Sequence, residues 1–462
     1  MAITCKGSVV VGTRINPFFM LLVKTDNAGT SASNQFTIPT GPFVGSYNYD
    51  VDWGDGNTDT GLTTSTTHTY ASAGTYTIKI SGVFPKIWFD NGGDKEKLLE
   101  VQNWGTILWQ RMDRSFNGCR NMTITATDIP DFSALINGTF DVMFSNCEAL
   151  IGGNLSNWDT SGFTSLSSAF AFSSAGFAGL FNADLSGWDV SNVTSFASMF
   201  ILSDSFNNGG ASGIGNWNVS SGISFSRMFQ QTPFNQDIGN WQTTSATNMQ
   251  YMFNGNTVFN QDISSWDVSQ VTTFNNMFGG ASSFNNSGSS GINNWDVSSA
   301  TTFQGMFSGA SSFNQNIGSW QPTSATILEF MFQSATSFNQ DISGWNVSSV
   351  QRFAYMFNNA SSFNQNLGAW NLRTAGITSM GNIFANSGMS TENYTDTIVG
   401  WANYVFTNGG PLNVNMVGQT GRTFDTSRSG GANFANAGAA RTYLTNVTPT
   451  GAGWTISSDT VI

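Results

Sequence analysis

The sequence predicts a mainly β fold with short helical turns, wound as a solenoid of about ten coils behind a separate N-terminal β unit. Three observations carry this. Trp recurs at 158, 188, 217, 241, 266, 295, 320, 345 and 370, with gaps of 24 to 30 residues. A second marker keeps phase with it at Phe144, Phe170, Phe200, Phe229, Phe253, Phe278, Phe307, Phe332, Phe357 and Phe384, and Phe116 opens the series. The charges are also segregated. Residues 1–120 hold ten basic and ten acidic groups, whereas 121–384 hold three basic (Arg227, Arg352, Arg373) and fourteen acidic. Fixed-period self-similarity of this length is the mark of a repeat architecture.

The N-terminal element comes first. The stretch MAITCKGSVVVGTRINPFFMLLVKTDN has Phe18–Val23 as its longest apolar run, too short for a signal core or a spanning helix. It reads as the first strand or two of a folded domain, and export is not expected.

The clearest repeat is FNQDISSWDVSQVTTFNNMFGGASS, residues 259–283. Phe274, Met277 and Phe278 fall at i, i+3 and i+4, one face of a helical or 3₁₀ turn. The alternation of Phe259–Ile263 predicts a short strand. Two insertions, NGGASG at 208–213 and NSGSSG at 286–291, predict surface loops. One coil of about 25 residues loses about 25–50 kcal/mol of backbone entropy. Its inward side chains return about 10–20 kcal/mol on burial. A lone coil is unstable, and stacking must supply the rest.

Stacking accounts for the uncharged polar residues. Asn182, Asn207, Asn235, Asn260, Asn285, Asn314, Asn339 and Asn364 all follow the strand Phe. An amide donates and accepts along such a column, whereas like charges would repel. Strict alternation turns Gln236, Gln261 and Gln340 inward, which leaves either a buried amide ladder or an irregular strand.

The pattern MFxxAxxFNQDIxxWDVSxVT resembles the BspA-type leucine-rich-repeat surface proteins, in the subgroup with Trp and Phe at the repeat core, over roughly 86–384. The segments GMSTENYTDTIVGWANYV (388–405) and ARTYLTNVTPTGAGWTI (440–456) resemble the closing segment of such proteins. DVDWGDGNTDT (50–60) and HTYASAGTYTIKI (68–80) resemble a polycystic-kidney-disease (PKD) type β-sandwich. The resemblance implies a leucine-rich-repeat-like right-handed solenoid, with a PKD-like β-sandwich over 1–85, repeats over 86–384 and a capping segment over 385–462. It also implies adhesion or recognition at a surface. Similar repeats occur in phage-encoded proteins. With no leader read, an exposed virion component (decoration, spike or fibre) is the expected role, on the virion surface and attached to other virion proteins through the N-terminal region. A secreted bacterial cell-surface adhesin is the alternative. A host-surface or glycan ligand fits either.

Candidate chemistry is sparse. Asp50, Asp52, Asp55 and Asp59 offer hard oxygen ligands for calcium, but they lack the EF-hand spacing and its closing Glu, so hairpin residues are the preferred reading. His68, the one imidazole, fits a satisfied strand histidine better than a base. Asp184, Asp237, Asp262, Asn316, Asp341 and Asn366 recur at the third position after the strand Phe, a structural or surface column first and a ligand-binding column second. Paired carboxylates would also suit a carbohydrate-active enzyme on a solenoid, but every coil repeats the same group, and no enzyme, catalytic residue or cofactor is expected. Cys119 and Cys147 occupy the slot of Ala281, Ala310, Ala335 and Ala360, and buried thiols are expected rather than a disulfide; Cys5 has no partner by pattern. A net charge of −12 excludes nucleic-acid binding through counterion release, and no membrane insertion is expected.

Overall fold

The computed structural model describes residues 16–42, 45–173, 179–447 and 451–462. Cys5 lies outside the described residues. The chain is mainly β with few helices. Its N-terminal strands are β1 (Phe19–Lys24), β2 (Gln35–Ile38), β3 (Asn48–Asp52), β4 (Thr58–Leu62), β5 (Thr66–Thr69), β6 (Thr75–Val83), β7 (Leu98–Asn103) and β8 (Thr123–Ile124). Six form a sheet in the order β4-β3-β6-β1-β7-β8, and β2 pairs with β5 as a ribbon. Alternation in β1 buries Phe19, Leu21 and Val23 completely.

The expected junction at residue 85 falls inside continuous structure. β7 pairs antiparallel with β1 but parallel with β8, through Glu100↔Thr123. From there the pairing stays parallel. Single bridges link Thr139, Ser165, Ser195, Ser224, Asn248, Thr273, Thr302, Ile327, Arg352 and Ser379 in one unbroken column. The sheet therefore passes into a stack of repeats over one hydrophobic core that runs from Phe19 to Trp454.

Local structure within each repeat agrees with one sequence-based expectation and differs from the other. Around Phe274–Phe278 the expected turn is present, without continuing into a helix. Turns of the i→i+3 kind (Met277 N–H to Phe274 O, 3.1 Å; Gly279 N–H to Asn276 O, 3.0 Å) alternate with bonds to the next coil (Asn276 N–H to Gln304 O, 2.8 Å; Phe278 N–H to Met306 O, 2.9 Å). Left-handed backbone at Asn276 (φ 49°) and Gly280 (φ 71°) stops each turn from propagating. No ladder strand forms over Phe259–Ile263, because side chains replace the backbone there. Asn260 N–H donates to Asn235 Oδ1 (3.0 Å), and Asn285 N–H to Asn260 Oδ1 (2.8 Å).

That substitution runs through the stack. The same Asn-to-Asn bond joins Asn182, Asn207, Asn235, Asn260, Asn285, Asn314, Asn339 and Asn364 at 2.7–3.0 Å. The Gln side chains lie at the coil edge rather than in the core. Gln236, Gln261 and Gln340 Nε2 donate to the main-chain oxygens of Asn207, Asn235 and Asn314. The two insertions are anchored rather than loose loops. Asn208 and Asn286 are fully buried, and their Oδ1 atoms accept from Leu185 and Ile263 N–H.

The rings stack in register. Phe253, Phe278, Phe307 and Phe332 lie 5.6–5.7 Å apart with nearly parallel planes. Trp241 stacks on Trp266 at 6.2 Å, and Trp320 on Trp345 at 6.2 Å. Indole N–H groups stitch the coils together. Trp266 donates to Ile238 O (3.0 Å), Trp320 to Ile292 O (2.8 Å) and Trp370 to Ile342 O (3.0 Å).

The C-terminal region holds α1 (Thr391–Asn408), β9 (Asn415–Met416), β10 (Thr423–Phe424), α2 (Ala437–Thr445), β11 (Thr455–Ile456) and β12 (Thr460–Val461). Helix α1 begins at Ser390, whose hydroxyl caps Asn393 N–H, and ends at the left-handed Gly409. It closes the stack by imitating the next coil. Ser390 N–H and Asn393 Nδ2 bond Asn364, and Trp401 Nε1 donates to Leu367 O at 2.9 Å.

Candidate functional site

The four hairpin carboxylates each serve a turn or strand. Asp50 accepts Gly61 N–H (2.8 Å), Asp52 accepts Gly54 N–H and Lys79 Nζ (2.9 Å), and Asp59 accepts Trp53 Nε1 (2.8 Å). Asp55 accepts Asn57 N–H and bonds His68 Nε2 at 2.9 Å. Burial pushes the Asp55 carboxyl up, but the bonds from His68 and Asn57 outweigh it and bring its pKa down to about 2. His68 stacks on Trp53 at 4.8 Å and meets Tyr70 edge-on. Among the described residues, no three His, Cys, Asp or Glu side chains converge to hold a metal ion.

The ligand column is exposed, as a surface column should be, yet its members perform one local task. Asp184, Asp237, Asp262, Asn316, Asp341 and Asn366 accept at Oδ1 from the N–H two residues on, at 2.8–2.9 Å. These are Asx turns, which fix the bend into the Trp segment. Around Asp262 burial raises the carboxyl, and its bonds with Ser264 outweigh that and lower it. The two coils with insertions carry Gly209 and Ser287 at that position instead. At the end of the stack two members, Asp341 and Asn366, share a cavity of about 490 Å³ with Gln365, Asn393 and Asp396. There Asp396 pairs with Arg428 at 3.0 Å.

Cys119 and Cys147 are buried and unbonded to each other, and the Cys147 thiol donates to Phe116 O at 3.1 Å. Burial raises both thiols well above their ordinary range. Among the described residues up to 120, most basic groups pair with acids, as in Lys86–Asp113 (2.8 Å), Lys79–Asp52 (2.9 Å) and Arg114–Asp90 (3.0 Å). Among the described residues, no helix is long and apolar enough to cross a membrane.

Sequence reasoning missed an outer row. The residue before each Met-Phe pair stands in left-handed backbone, and in successive coils it is Arg227, Tyr251, Asn276, Gly305, Phe330 and Tyr355, with φ from 49° to 63°. Asn and Gly suit that conformation, whereas bulky aromatics there are outliers. The Arg227 guanidinium lies 5.1 Å over the Tyr251 ring, and Phe330 stacks on Tyr355 at 5.1 Å. The signal was present: a varied letter immediately before a repeated Met-Phe marks an outward position.

A continuous aromatic core, parallel bridging and side-chain columns define a mainly β repeat protein. The chain belongs to the family described as "Mycoplasma protein of unknown function, DUF285", whose model matches residues 110–212, 207–290 and 286–397. The matches cover the repeat stack and the start of α1. No curated protein and no solved structure matches the chain.

Proposed function

We propose that this protein is a non-enzymatic recognition or adhesion module displayed on a surface. In this reading the stack is a BspA-type, leucine-rich-repeat-like right-handed solenoid, headed by a PKD-like β-sandwich and closed by the C-terminal cap. The observation that carries the reading is the uniformity of the polar columns. Six of the eight coils from Asp184 to Asn366 use an Asp or Asn as the same turn cap, and the two coils with insertions carry Gly209 and Ser287 there, so the repeat builds a long presenting surface rather than one reactive centre. Membership in a family of repeat proteins supports it.

The surface we favour is that of a phage virion. The 1–120 region is charge-balanced, and most of its described basic groups pair with acids, which suits docking to other virion proteins. The 121–384 block, with fourteen acids against three bases, faces outward and keeps copies apart at low salt. A bacterial cell surface is the second reading, favoured by the mycoplasma proteins from which the family is described. Mass spectrometry of purified particles and of envelope fractions from the source decides between them. The virion reading expects the chain in particles, and recovery solely from envelopes rejects it.

A further inference from the structure

We propose that the outer row between Tyr251 and Phe330 is a slot for a neutral saccharide chain. This rests on the reading of the stack as a recognition module and names the place where recognition occurs. Because Phe330 and Tyr355 stack between neighbouring coils with planes 11° apart, one face of Phe330 is covered by Tyr355 and the other is turned along the stack toward Gly305. Tyr251 mirrors it: Arg227 covers one face, and the other is turned toward Asn276. No ring of the row covers these two faces, which are separated by two coils that carry an amide and a glycine, and both rings remain part-exposed. The walls stand three steps apart, each 5.6–5.7 Å between the buried rings of the same coils.

The floor is polar and uncharged. A Cβ on Gly305 would lie 2.4 Å from Asn276 Oδ1, so the Asn276 amide reaches over Gly305 and a larger residue there would close the slot. Aromatic faces paired with an amide suit a sugar, which has apolar C–H faces and hydroxyls that donate and accept. The acidic block around the slot disfavours an anionic chain. Tyr251 and Phe330 stand at φ 58° and 60°, a conformation that Asn or Gly would adopt with less strain. Large rings are held here against local preference, as strained residues at binding sites are.

The test uses the full chain with short neutral gluco- and galacto-oligosaccharides, read by calorimetric titration, and Phe330→Asn and Tyr251→Asn as variants. Phe406→Ser, at an exposed ring elsewhere, is the control. The parent and the control should bind, and each slot variant should lose about tenfold in affinity. The slot variants should melt at or above the parent temperature, because strain is relieved while binding is lost. A parent that binds none of these sugars, slot variants that bind as well as the parent, or slot variants that melt lower would each overturn the slot. None of those results bears on where the protein is displayed, which the fractionation decides.

Discussion

Replacing Trp by Phe at two neighbouring coils isolates the contribution of the indole stitch. Trp320 is 1% exposed, donates to Ile292 O at 2.8 Å, and lies between Trp295 (6.0 Å) and Trp345 (6.2 Å). Trp295 is 5% exposed in the same column, but its Nε1 is buried with no partner. Trp→Phe removes similar volume at both, so the packing loss largely cancels between them. Trp320→Phe also removes one of the two bonds to the Ile292 carbonyl, which keeps the Trp295 main-chain N–H at 3.2 Å, a cost of about 0.5–1.5 kcal/mol, whereas Trp295→Phe removes an unsatisfied donor whose burial costs about 1–3 kcal/mol. Trp320→Phe should therefore be less stable than Trp295→Phe by about 2–4 kcal/mol. Urea titration followed by circular dichroism measures this as a shift in midpoint at unchanged slope. Equal midpoints, or a lower midpoint for Trp295→Phe, would refute the view that these bonds hold the coils.

Other outcomes follow from the same geometry. Asn314→Ala should cost about 0.5–1.5 kcal/mol, since Asn339 N–H loses its acceptor while Gln340 Nε2 keeps the Asn314 main-chain oxygen, whereas Asn314→Asp keeps an acceptor and should cost less in the same titration. Asp55 titrates near 2 when folded, below its unfolded value, so its stabilisation is complete above about pH 4 and is lost as pH falls toward 2. Acid melts of Asp55→Asn should accordingly be flatter than the parent's across that window. Cys119 and Cys147, buried with raised thiol pKa values, should resist maleimide labelling until denaturant is added, as peptide mass spectrometry will show; labelling in the native state contradicts their burial.

Phase was legible in the sequence because aromatic burial enforces it. The Phe and Trp markers named from spacing are the rings that stack, and the Asn column named from position is the column that bonds. Local conformation was legible only in part. Phe274-Asn-Asn-Met-Phe gives the expected i→i+3 turn and Asn276 suits left-handed backbone, but its spacing does not reveal that bonds to the next coil stop the turn there. The strand expected at Phe259–Ile263 failed for a related reason, since Asn235 Oδ1 takes the place of a main-chain carbonyl. The Asp column was read as a repeated structural or surface feature. Its turn-capping role was also within reach, since Gly or Ser follows two residues after each member. The outer row went unread because the search for chemistry followed repeated letters, whereas Tyr251 and Phe330 are departures from the repeat.

Native-state hydrogen exchange at the Asn column tests the central structural claim most directly. If amide side chains hold the stack, the main-chain N–H groups of Asn207, Asn235, Asn260, Asn285, Asn314, Asn339 and Asn364 will be protected as strongly as those of Phe278 and Phe307, which donate to the next coil's backbone. Exchange of those Asn amides at the rate of exposed turn residues such as Ser265, with Phe278 and Phe307 still protected, would contradict it.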